Sequence, residues 1–62
     1  KSDRNIKALE RLINNLENKV NEIQGLINDN LSNHEKLEEY YKEIQNIRTD
    51  IDLKYDELYQ LI

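Results

Sequence analysis

A chain of 62 residues with no cysteine, one histidine and 35% charged side chains has room for one small unit, without disulfides or a zinc site. Its net charge of −4 opposes binding to a phosphate backbone, and no stretch nears the roughly 18 apolar residues of a bilayer span. Neither nucleic acid nor membrane insertion is therefore expected. A chain this small without staples draws stability from partners.

The helical signal begins at once. Ser2 or Asp3 is placed to cap a helix start. From Ile6 onward, apolar residues recur at alternating three- and four-residue steps. With Ile6 as heptad position a, the a sites are Ile6, Ile13, Val20, Ile27, His34, Tyr41, Arg48, Tyr55 and Ile62. The d sites are Leu9, Leu16, Ile23, Asn30, Leu37, Ile44, Ile51 and Leu58. Of these 17 sites, 14 are aliphatic or Tyr. A 3.5-residue repeat puts them on one stripe and predicts a left-handed supercoil. The expected fold is all-α: residues 1–62 as one coiled-coil segment, a long continuous amphipathic helix. Asp3→Lys7, Glu38→Lys42 and Asp50→Lys54 add acid-before-base pairs four residues apart.

The middle is the weak point. Residues 25–34 contain the only glycine, Gly25, and a run of turn formers, so a break or irregularity is expected there. Ser32 followed by Glu35 reads as a capping box. Two helices over 3–28 and 32–62 form the alternative. Unbroken heptad phase favours the straight rod, because a hairpin loop has no reason to keep it.

Flanking positions address assembly. No g-to-e pair of a parallel dimer joins opposite charges. Even so, β-branched a residues with Leu at d favour a parallel dimer in the first half. Five g sites, Leu12, Leu26, Tyr40, Ile47 and Leu61, are apolar. They widen the stripe toward a trimer, a tetramer or a hairpin bundle.

Asn30, His34 and Arg48 are polar residues at core positions and are expected to control register and oligomer number. The second half, residues 32–62, holds eight acidic and four basic side chains and all four tyrosines. Glu35, Leu37, Glu38, Glu39, Tyr40 and Tyr41 form the candidate partner-binding site, since Tyr suits interfaces and carboxylates steer a basic helical partner. No nucleophile sits with a base, no glycine-rich phosphate loop is present, and no cofactor or metal is expected. The chain is read as non-enzymatic. It starts at Lys1 without Met and is read as a fragment of a longer protein.

The run Asn33–His34–Glu35–Lys36–Leu37–Glu38–Glu39–Tyr40–Tyr41 resembles the hypervariable N-terminal coiled coils of streptococcal M-type surface proteins. The resemblance covers about a dozen residues of the 62. It implies a parallel dimeric fibril on a Gram-positive cell surface: a virulence factor capturing a host protein or a cationic antimicrobial peptide through Glu35, Leu37, Tyr40 and Tyr41. The alternative function is a structural oligomerisation or scaffold segment of a larger intracellular protein, assembling with itself.

Overall fold

A computed structural model describes the backbone of residues 2–62 and the side chains of residues 3–62. Two helices of 28 residues each, α1 (Ser2–Asp29) and α2 (His34–Leu61), fold back on one another. Asn5, Ala8, Leu9 and Leu12 of α1 share a hollow with Glu57, Gln60 and Leu61 of α2, so the helices run antiparallel, the first turns of α1 beside the last turns of α2. The continuous rod is thereby corrected to a hairpin 49 Å long. The same number of residues in one straight helix would span about 90 Å.

The turn explains where α1 stops. The backbone amides of Asn30 and Asn33 donate to the carbonyls of Ile27 and Asn30, each at 3.0 Å, which tightens the chain below the α-helical repeat. The Asn30 side-chain amide donates to the Leu26 carbonyl at 2.7 Å and covers a carbonyl near the helix end. No described residue here has positive φ, so the turn needs no glycine. Asn33, with φ −106° and ψ 93°, caps α2, and its Oδ1 accepts from the Lys36 amide at 3.2 Å. The expected Ser32–Glu35 box does not form: the cap falls one residue later, at Asn33, and Lys36 three residues on has no acceptor with which to complete a box. At the other end, the Ser2 cap lies outside the described side chains, and Asp3 stands inside the first turn of α1, facing the positive helix end.

Gly25 is not part of the turn. It lies in α1, exposed, and a methyl group added to its Cα would meet nothing within 4 Å. Alanine in a helix interior is favoured over glycine by about 1 kcal/mol. Gly25→Ala is expected to raise the midpoint of a thermal melt by about 4–8 °C. An unchanged or lowered midpoint would show that α1 needs flexibility at this point.

The core is thin. Ile13, Val20, Ile23 and Ile27 of α1 and Ile44 and Leu58 of α2 are the buried apolar residues. Val20, Ile23, Ile27 and Ile44 form one cluster, against which Leu37, Tyr40, Ile47 and Ile51 pack. On α1 this is the expected a/d stripe. On α2 the sheltered positions are chiefly Leu37, Tyr40, Ile44, Ile47, Ile51, Lys54, Leu58 and Leu61, which are the d and g sites. The a row has turned away: Tyr41 is 57% exposed and Ile62 79%, His34 and Arg48 are exposed as well, and Tyr55 is half-buried. The seam of α2 is rotated about its axis relative to the one expected. The gain is direct, because Tyr40 and Ile47 replace His34 and Arg48 against α1, and no buried side-chain polar atom is left without a partner among the described residues.

Lys54 is the one charged residue in that seam. Its ammonium reaches outward to Asp50 at 3.3 Å and Glu57 at 3.6 Å while its stem covers apolar surface. Hydrogen bonding and attraction from Asp50, with a smaller pull from Glu57, raise its pKa above the usual 10.5. Asp50–Lys54 is the pair, of the three expected, that closes.

Candidate interaction surface

The expected polar core residues are not in the core. Asn30 is in the turn, spending its side chain on Leu26. His34 opens α2 and is exposed, and Arg48 is exposed at mid-helix. The six residues of the expected partner site do not share a face either. Leu37 and Tyr40 pack inward on the core. Glu35, Glu38 and Glu39 point to solvent, and Tyr41 stands beside the seam. Tyr40 packs within its own chain, on the cluster of Val20, Ile23, Ile27 and Ile44.

Two sides of the hairpin remain open, and they differ. On one side a hollow of about 390 Å³ holds Leu9, Leu12 and Leu61 at the open end. A second, of about 500 Å³, holds Lys19, Glu22, Ile23, Leu26 and Glu43 toward the turn. Leu12 and Leu26, apolar g sites of α1, are 46% and 44% exposed there. On the other side, Tyr41, Ile44, Gln45 and Arg48 of α2 border a hollow of about 430 Å³ with Gln24, Ile27 and Asn28 of α1. A neighbouring hollow of about 470 Å³ is lined by Glu17, Val20, Asn21, Gln24, Arg48 and Ile51. Gln24 and Arg48 border both, so the two hollows form one groove along the hairpin. Farther along α2, the rings of Tyr55 and Tyr59 stack with centroids 6.0 Å apart and planes at 27°.

Arg48 forms no ion pair among the described residues. Its heptad position marks it as a core defect, but a better signal lies in the neighbouring row. In the second half, polar a sites (His34, Arg48) coincide with apolar g sites (Tyr40, Ile47, Leu61). That coincidence marks the a row as the outer one.

Away from these grooves, Arg4, Lys7 and Arg11 line an open hollow with Asp3 and Ala8 on α1. No three His, Cys, Asp or Glu side chains among the described residues are grouped to hold a metal ion. No described helix is long and apolar enough to cross a membrane.

The geometry defines a class: a two-helix antiparallel hairpin whose sides carry more chemistry than its interior. The family follows from comparison. The family model of the ABC transporter C-terminal domain matches residues 1–61, and the chain belongs to that family. No curated protein and no solved structure matches it.

Membership overturns the resemblance to streptococcal M-type surface proteins. The virulence reading, the Gram-positive cell surface and the capture of a host protein or antimicrobial peptide fall with it. The physical reason is that heptad sequences resemble each other through shared periodicity, and the run Asn33–Tyr41 owes its pattern to a helix cap followed by an intramolecular seam.

Proposed function

We propose that this chain is a structural oligomerisation hairpin, a helical segment by which a larger protein assembles with copies of itself. Membership in a family described as the C-terminal domain of ABC transporters fits an appended element of this kind. The observation that carries the proposal is the imbalance between what the hairpin hides and what it shows. Six apolar side chains are buried, whereas seven large ones, Leu12, Leu26, Leu31, Tyr41, Leu53, Tyr59 and Ile62, are exposed among the described residues. A two-helix unit burying so little gains only a few kcal/mol from its core, and covering the exposed side chains supplies more.

On this reading the chain does no chemistry of its own. Its carboxylates lie on open helical faces, no nucleophile sits with a base, and its role is to hold other parts together. The negative charge of α2 makes another protein surface, rather than a nucleic acid, the natural partner.

Self-association makes the folded state concentration-dependent. Raising the chain concentration about a hundredfold is expected to raise the thermal midpoint and to shift the sedimenting species from monomer to dimer or higher. A midpoint and a mass that stay monomeric and constant across that range would sink the proposal.

A further inference from the structure

We infer that the hairpin pairs with a second copy through the Tyr41–Arg48–Tyr55 side, as a two-fold dimer in which each Arg48 meets the partner's Glu17. The inference rests on the oligomerising reading and specifies the surface and its register. Two rows on this side have the same seven-residue spacing. Tyr41, Arg48 and Tyr55 lie along α2, and Glu10, Glu17 and Gln24 lie along α1. Arg48 shares one hollow with both Glu17 and Gln24, so it stands between them along the hairpin. The two rows are therefore staggered by about half a heptad.

Consider a two-fold axis in the interface, parallel to the long direction of the hairpin. It lays α2 of one copy over α1 of the other and puts both turns at the same end. Heights along the hairpin are unchanged by this operation, so the stagger carries over to the contact between copies. Arg48 then enters the gap between the partner's Glu17 and the partner's Gln24, and this contact occurs twice, as an isologous interface requires. Seven residues on, Tyr55 enters the gap between the partner's Glu10 and the partner's Glu17. Tyr41 lies on the turn side of the partner's Gln24. Each phenol hydroxyl meets an acceptor, and each ring covers surface left open in the single hairpin.

Charge selects this arrangement. α2 holds eight acidic and four basic residues, while α1 holds five and four. A two-fold axis across the hairpin would set α2 on α2 and confront two acidic helices. The axis along the hairpin sets α2 on α1 instead and gives Arg48 a carboxylate. Helices in contact between the copies then run antiparallel, with opposite helix dipoles side by side. Size agrees: a face of 49 by 15 Å offers on the order of 700 Å², near the ~800 Å² per partner of a standard interface.

The test is a charge-reversal pair, Arg48→Glu and Glu17→Arg, each at a helical surface position and each checked for retained helix by circular dichroism. Each variant alone places like charges together at both central contacts, and its dimer dissociation constant is expected to rise at least tenfold in sedimentation equilibrium. Mixed in equal amounts, the two variants restore an opposite-charge pair at both contacts. A heterodimer near wild-type affinity is expected. The mixture matters because rescue between separate chains cannot come from a contact within one hairpin. If the wild-type dimer forms but both variants dimerise as well as it does, the surface is wrong while the oligomerising reading stands. If both variants weaken but the mixture recovers nothing, the register is wrong. If the wild type never dimerises, the inference and the reading beneath it fail together.

Discussion

Ile23→Ala is expected to abolish the cooperative melt of the hairpin. Ile23 is 2% exposed and sits in the cluster with Val20, Ile27 and Ile44. Cutting a buried Ile to Ala costs about 2–5 kcal/mol, from lost transfer energy and the cavity left behind. A chain of this length has on the order of 3–9 kcal/mol to lose, and one with so few buried side chains belongs at the low end. The single truncation therefore removes most of the stability or all of it. Far-ultraviolet circular dichroism against temperature reads this as a broad, early loss of helix. Leu53→Ala is the matched control: Leu53 is 55% exposed, and its truncation is expected to change stability by no more than about 0.5 kcal/mol. Equal melts for the two variants would mean that the seam through Ile23 is not what holds the helices together.

The second large effect concerns the turn. Asn5 and Gln60 line the same hollow, so spin labels at these positions are expected to report a short distance within one chain. A straight helix would separate them by about 80 Å at 1.5 Å per residue. Replacing Asn30, Ser32 and Asn33 by Ala together removes the side-chain bond to Leu26 and the cap on Lys36. It also puts the best helix former at three of the four turn positions. Loss of an N-cap alone costs about 1 kcal/mol. The triple variant is expected to shift a substantial share of molecules to the long distance, with α1 and α2 joined into one rod and paired with another chain. Pulsed electron–electron double resonance on doubly labelled chains diluted with unlabelled ones reads both populations. If the triple variant keeps only the short distance, the hairpin is held by its seam alone and the turn residues merely fit it.

These two experiments separate the forces that hold the fold. The seam supplies the burial, and the turn residues choose between satisfying that burial within one chain or between two. A stripe of apolar residues is indifferent to this choice, because a helix covers it equally well whether or not it belongs to the same chain. The balance is struck at residues 30–33, where short polar side chains give the backbone bonds that a continued helix would otherwise make.

The same indifference explains why periodicity favours the rod. The d row keeps its phase from Leu9 to Leu58, so the repeat carries past the turn. What changes is its companion row: a in α1, g in α2. A rotation of that kind leaves the repeat intact and alters only which residues flank it. Arg48, a defect in a straight rod, becomes a surface cation on a groove. Tyr41 becomes an exposed ring, while Tyr40 takes the inward place.

Composition and spacing alone determined that the chain is helical, that an apolar stripe along it must be covered, and that little else is available to stabilise it. These follow from local rules: the 3.5-residue repeat, the missing proline, and the lack of cysteine. Only the tertiary structure decided that the cover is the other half of the chain, that Asn33 rather than Ser32 caps α2, and that His34, Tyr41 and Arg48 face outward. Each of those depends on which two surfaces meet. Burying Tyr40 and Ile47 in place of His34 and Arg48 lowers the energy only once α1 is there to receive them.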